Sequence, residues 1–208
     1  MLYFLSSRKI VESIEWANTL KDDENVGKTA EKGKSNFVGP EIEGKKLGVI
    51  GLGAIGVLVA NAANKLGMEV YGYDPFMSVN SAWALSKHVR QAKDMDEIFK
   101  TCDYITVHVP STKDTKGMLN KRKVCINERR STFIELARGD LVVNEDLLEA
   151  VESGKLSKYI TDFASQEIIG KDNIIVLLHL GLLLLKVKIT VRKMAVQELK
   201  DFLENGNI

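Results

Sequence analysis

Along this chain, short apolar runs alternate with longer amphipathic stretches, and the rhythm sets in at Lys45. Residues 46–50 and 68–73 read as strands with apolar residues on both faces, and residues 57–66 between them read as a helix. Runs at 104–109, 132–136, 159–163 and 174–178 predict four more strands. Residues 95–100 and 144–153 predict helices between them, the second opening on an Asn144 cap and ending at Gly154. Strands of this kind in alternation with helices predict an α/β fold, a doubly wound parallel sheet with helices on both faces. Upstream, Ile10, Ile14 and Ala17 recur at helical spacing, flanked by Val11 and Trp16, so residues 6–20 predict an amphipathic helix. Residues 21–44 are charged and carry Gly27, Gly33, Gly39-Pro40 and Gly44, a surface connection with room for a short helix. The last quarter has a leucine run at 182–185, a period-two strand pattern at 186–192 and a helical pattern at 194–203.

The junction of the first strand and helix is the most specific feature. Gly51-Leu52-Gly53-Ala54-Ile55-Gly56 follows the strand, and Asp74 ends the next strand, 18 residues after Gly56. Strand, glycine turn, helix, strand and acid, in that order, form a dinucleotide-binding unit of the Rossmann-like type. Gly51 permits the tight turn, Gly53 lets the backbone approach a pyrophosphate, and Gly56 lets the helix lie close to the sheet. With Ala54 and Ile55, these residues put unpaired N–H groups of a helix start toward the phosphates. Asp74 suits the adenosine ribose hydroxyls and repels a 2′-phosphate. Pro75-Phe76-Met77 offers no Arg or Lys to hold one, so NAD is expected over NADP. The expected division is 1–38, a linking helix and connection; 39–185, the dinucleotide-binding domain; and 186–208, a segment ending in a helix.

Composition narrows the function classes. The 208 residues are 45% apolar and 27% charged, ordinary values for a globular protein with a core. A net charge of +1 gives no electrostatic case for nucleic acid or an anionic membrane. No apolar run is long enough to span a bilayer, and the apolar start, Met1 to Leu5, is too short for a signal core. Cys102 and Cys125 form no CxxC and no ligand cluster, which predicts reduced thiols, no metal site and a cytoplasmic location.

Four polar residues fall at or just past strand ends, where ligands lie in open α/β sheets: Arg138, Asp162, Glu167 and His179. Taken singly, each is an ordinary solvated charge or a hydrogen-bonded histidine. Together they hold what dehydrogenation of a 2-hydroxy acid needs: a cation for the carboxylate, a base near neutral pH and a carboxylate to tune it. His88 lies among polar residues and reads as solvated, and His108, in a strand before Pro110, reads as structural.

From about Phe37 onward the chain resembles the NAD-dependent D-2-hydroxyacid dehydrogenases, and among them the phosphoglycerate dehydrogenase-like members. The resemblance rests on the 51–56 glycine turn, Tyr73-Asp74-Pro75, His108-Val109-Pro110 with Thr115, Ala137-Arg138-Gly139, Asp162-Phe163 and His179-Leu180-Gly181. The spacings of 29 residues from Arg138 to Glu167 and 12 from Glu167 to His179 resemble the family's Arg, Glu and His triad. The resemblance implies that Arg138 grips the substrate carboxylate, that His179 moves the proton at C2, and that Glu167 orients His179. It implies that Asp162 holds the nicotinamide carboxamide, and that Pro110, Thr115, Ala137 and Gly181 line the cofactor. A small 2-hydroxy or 2-oxo acid is the implied substrate. A homodimer is the implied assembly, with Trp16 and Trp83 as candidates for its interface or for the core.

The chain departs from the family at several places. The resemblance implies that these residues lack most of the family's substrate domain, so NAD binding is expected to outlast turnover, and a non-catalytic NAD-binding module or a dimerisation module remain alternatives. Glu135 stands where the family usually has Asn, and Ile168 and Leu178 replace prolines. Codons for Ala-Ser-Thr-Glu-Glu read one base out give Leu-Leu-Leu-Lys, close to residues 182–186, so compensated frameshifts would account for 182–192 and for 121–130. The nucleotide sequence tests this directly: shifting those codons by one base should restore a family-like reading.

Overall fold

The computed structural model describes residues 8–180, so the expectations for Gly181, the leucine run, the 186–192 strand and the 194–203 helix lie outside the described residues. Seven strands form one parallel sheet: β1 (Lys46–Ile50), β2 (Glu69–Tyr73), β3 (Arg90–Gln91), β4 (Tyr104–Val107), β5 (Thr132–Glu135), β6 (Lys158–Thr161) and β7 (Ile174–Val176). Their order is β3-β2-β1-β4-β5-β6-β7. Order reverses between β1 and β4, which makes their carboxyl ends the topological switch point.

Helices α3 (Ala54–Lys65) and α4 (Val79–Ala84) follow β1 and β2, and α5 (Met95–Thr101), α6 (Lys121–Cys125) and α7 (Asn144–Glu152) follow β3, β4 and β5. Strand alternation divides the core between the two faces. Leu47, Val49 and Val70 pack with Val57, Ala60 and Ala63 of α3. Ile50, Ile105, Val107, Phe133 and Tyr159 pack with Ile98 and Phe99 of α5 and with Leu147 and Val151 of α7. Phe99, Phe133 and Tyr159 form a continuous aromatic row, with centroids 6.4 and 6.0 Å apart. Cys102 is wholly buried in this core, and burial pushes its thiol up to about 12. The doubly wound parallel sheet is thus as the apolar rhythm predicts.

Two local expectations differ. The N-terminal helix is shorter, α1 (Ile10–Thr19), and none of its residues is buried. Val11 and Ile14 remain 48% and 57% exposed, while Trp16 is half-buried against Phe37 at 5.3 Å. Within 21–44 the surface connection does contain a short helix, α2 (Val26–Gly33), which runs into a 3-10 turn (Lys34–Phe37). Asn144 is not a cap: Val143 occupies that position without a side-chain bond, and Asn144 is the first helical residue with its amide turned elsewhere. Short elements go unseen in the sequence: α4, the two-residue β3, and α6, which Asn120 caps by accepting from the Lys123 N–H.

Candidate functional site

The glycine turn leaves β1 at the switch point, and each glycine meets a different constraint. Gly51 has φ +90, and a Cβ there would lie 2.7 Å from the His108 carbonyl oxygen. A Cβ on Gly56 would come within 1.9 Å of the Gly51 carbonyl oxygen, so α3 can only start this close to the strand if that residue has no side chain. Gly53 caps α3 in extended backbone, and a Cβ there would meet nothing within 4 Å. Its space faces outward beside the exposed Ala54 and Ile55, which is the cradle a phosphate group requires.

Asp74 ties this turn to β2. Its Oδ2 accepts from the Leu52 N–H and its Oδ1 from the Phe76 N–H, both at 2.8 Å. It lines a cleft of ≈ 370 Å³ with Leu52, Met77, Arg90 and Lys93. The two cations are invisible in the Pro75-Phe76-Met77 reading because β3 brings them in from a later segment. Arg90 is already engaged, with Nη1 3.1 Å from the Tyr71 hydroxyl and 3.4 Å from Glu69 Oε2. Beyond β4, Pro110 and Thr115 close a turn in which the Thr115 hydroxyl donates to the Pro110 carbonyl at 2.7 Å. Ser111 donates to Asp140 at 2.6 Å, linking this turn to the 3-10 turn Gly139–Leu141 just after Arg138.

The polar side chains gather at the ends of β5, β6 and β7. Glu135, the last residue of β5, is wholly buried, and its Oε1 accepts from the Ala137 and Arg138 N–H groups at 2.7 Å each. Those bonds fix the exposed Arg138, whose Nη1 donates to the Ala137 carbonyl at 2.8 Å. Glu135 Oε2 is buried without a hydrogen-bond partner among the described residues. Burial raises the Glu135 carboxyl above the usual carboxylate range. The backbone donors of Arg138 and Ala137 oppose that shift, and the nearby Asp162 charge adds to it.

His179 pairs with Asp162: Nδ1 lies 2.6 Å from Oδ2, and Asp162 Oδ1 is buried without a partner among the described residues. Phe163 packs on the His179 ring at 5.9 Å. Glu167 is placed elsewhere, accepting from Asn144 Nδ2 at 3.3 Å. The expected pairing of Glu167 with His179 is therefore replaced by Asp162 with His179. Register explains the change. Thr161 pairs with Val176, which sets Asp162 beside the chain leaving β7. Glu167 lies in the β6–β7 connection, where the wholly buried Ile168 anchors the chain. His108 is half-buried, its Nε2 3.1 Å from the Thr106 hydroxyl, and burial lowers its pKa; His88 is exposed. Among the described residues no His, Cys, Asp or Glu cluster could hold a metal ion, and no helix is long and apolar enough to cross a membrane.

A parallel sheet with a glycine turn at its switch point, and an acid at the end of the next strand, defines a dinucleotide-binding α/β domain. The chain belongs to the D-isomer specific 2-hydroxyacid dehydrogenases: the family's NAD binding domain matches residues 3–183, and NAD is the cofactor of that domain. It is similar to the D-3-phosphoglycerate dehydrogenase of Bacillus subtilis (strain 168), 32% identical over an alignment of 181 residues, with coverage of 84% of this chain and 34% of that protein. Among solved structures, it resembles the cofactor (NAD+) bound 3-phosphoglycerate dehydrogenase of Entamoeba histolytica, with a TM-score of 0.70, 27% identity, and coverage of 81% of this chain and 55% of that one. The D-lactate dehydrogenase of Aquifex aeolicus complexed with NAD and lactic acid is similar at a TM-score of 0.72 and 26% identity, covering 88% of this chain and 60% of that one. The chain spans about a third of the length of the curated relatives it matches.

Proposed function

We propose that this chain is the cofactor-binding part of a phosphoglycerate dehydrogenase-like oxidoreductase that acts on a small 2-hydroxy or 2-oxo acid. Bound NAD supplies the hydride acceptor or donor for C2. Gly51, Gly53, Ala54, Ile55 and Gly56 form its phosphate cradle, Asp74 takes the ribose, and Pro110, Thr115 and Ala137 line the site. The Arg138 guanidinium forks onto the substrate carboxylate. His179 takes the proton of the C2 hydroxyl in oxidation and returns it in reduction, with Asp162 behind it holding the ring and its charge. The second oxygen of Asp162 is left for the carboxamide of the cofactor. The observation that carries this reading is the 2.6 Å His179–Asp162 pair, one strand away from the Glu135-anchored Arg138.

A titration of the purified chain with NADH, followed by fluorescence and with NADPH as comparator, tests it. Saturable binding that favours NADH is expected, and no saturable binding would sink the reading. A second reading, an NAD-binding module without turnover, is favoured by the contact of Glu167 with Asn144 rather than with His179. NADH binding without NADH oxidation by any 2-oxo acid would select it.

We further infer a homodimer in the cytoplasm, and domain limits of 1–38, 39–185 and 186–208. Trp83 and Phe76, 84% and 92% exposed, support an interface on that face, whereas Trp16 packs within the chain. Both cysteines are free, which suits a reducing compartment. A monomer mass in sedimentation would remove the dimer from this reading.

A further inference from the structure

Opposite the glycine turn, at the amino ends of the strands, lies a second cleft of ≈ 450 Å³. It opens under the starts of β1, β4, β5 and β6. With strands of about five residues rising roughly 3.3 Å each, it sits about 15 Å from the carboxyl edge where the cofactor residues gather. Five cations line it: Lys9, Lys45, Arg129, Arg130 and Lys158. Among the described residues Asp103 is the one acid in its lining. That acid is already engaged, since its Oδ2 accepts from the Lys46 N–H at 2.9 Å and its Oδ1 lies 3.9 Å from Arg129. The local excess of positive charge contrasts with a chain whose net charge is only +1.

The cations are set in a framed site. Arg130 Nε donates to the Gly154 carbonyl at 3.0 Å, which fixes the plane of the guanidinium. Arg130 also holds a left-handed backbone, φ 52, a conformation a non-glycine residue keeps only when its surroundings impose it. Beside the cations, the hydroxyls of Thr132 and Ser157 lie 3.0 Å apart, with Thr132 itself buried. Two adjacent arginines, lysines from separate segments and a pair of hydroxyls in one concavity are the donor set of a site for a compact polyanion. A single concavity of this size matches a small anion better than a long macromolecular one, which would be expected to run along a more extended charged surface.

We propose that this amino-edge cleft binds a small phosphate-type polyanion, at a site separate from the dinucleotide cradle. The probe is inorganic pyrophosphate, titrated calorimetrically into the chain with and without saturating NADH. Malonate and a short single-stranded DNA are run as comparators. Saturable pyrophosphate binding that persists with NADH present is expected. It should weaken about tenfold or more in Arg129→Gln/Arg130→Gln, the order expected from losing charge-assisted contacts. Lys45→Gln, on a separate segment and with no role in the Gly154 contact, should weaken it as well, so a folding defect in the arginine variant cannot decide the outcome. Displacement of pyrophosphate by NADH would overturn the proposal, because the anion would then sit in the glycine turn. Undiminished binding in both variants, or heats that follow ionic strength without saturating, would overturn it too. Equal affinity for malonate would overturn the phosphate assignment, and tighter binding of the DNA the small-molecule one.

Discussion

The two halves of the carboxyl edge are made of different material. Around β1 and β2 the site is backbone: three glycines, the start of α3, and a carboxylate that accepts main-chain N–H groups at 2.8 Å. Around β5, β6 and β7 it is side chains: Arg138 held through Glu135, and His179 held by Asp162. A backbone site has little freedom, because moving it moves the sheet. A side-chain site depends on which of several acids reaches the histidine first, and here the strand register decides in favour of Asp162 over Glu167.

The largest expected effect breaks the backbone half. Gly56→Ala places a Cβ 1.9 Å from a main-chain oxygen that no rotamer change can move aside. Unfolding in urea should show a loss of about 3 kcal/mol, with NADH binding lost alongside it. A variant that unfolds at the wild-type urea concentration would mean that the turn is less rigid than it looks.

A smaller effect sharpens the same half. Asp74→Asn keeps an acceptor for the Leu52 N–H but removes the charge. NADH affinity should fall about tenfold, in the range for a hydrogen bond to a charged group, while NADPH loses less. The preference between the two cofactors should narrow accordingly. An unchanged ratio would mean that the Asp74 charge is not the source of the selectivity, since Arg90 and Lys93 across the cleft would favour the 2′-phosphate.

The smallest effect probes the side-chain half and depends on pH. Glu135 is wholly buried, and burial raises its carboxyl in the folded chain above its unfolded value. At acidic pH both states hold the proton and nothing is lost. As pH rises past the ordinary carboxylate range, the unfolded chain releases the proton while the folded chain keeps it. Folding stability attributable to Glu135 then falls until the folded group itself ionises. Glu135→Gln cannot ionise, so it should gain stability over wild type at pH 7 and show no such gain near pH 3. A gain of the same size at both would assign the effect to packing instead of charge.

This division also explains what the sequence discloses. The β1–α3–β2 unit is legible because a glycine pattern, an apolar run and an acid at fixed spacing each report a backbone constraint, and backbone constraints are local. Arg138, Asp162 and His179 are legible as strand-end residues for the same reason, but their partners are not. Whether His179 meets Glu167 or Asp162 depends on how β7 aligns with β6, a contact between segments. Asn144 carries the composition of a cap, yet its amide goes to Ser165 and Glu167, which lie 21 and 23 residues on. The two-residue β3 leaves no periodicity to read, although it brings Arg90 to the Asp74 cleft. The exposed Val11 and Ile14 show the converse: a helical apolar spacing predicts the helix, but does not say what it packs against.

The 1.9 Å approach at Gly56 has a consequence for how such a chain can change over generations. The contact that shapes the cofactor cradle is the same one that seats α3 on the sheet, so a lineage cannot abandon the first without giving up the second. Among the described residues His179 is held more loosely, by the Asp162 carboxylate and the Phe163 ring, and it stays exposed. Drift therefore meets an uneven landscape, with wide latitude in the side chains beyond β5, β6 and β7 and almost none at the glycine turn. Lineages whose strand-end side chains diverge should still keep the glycine turn as inherited architecture.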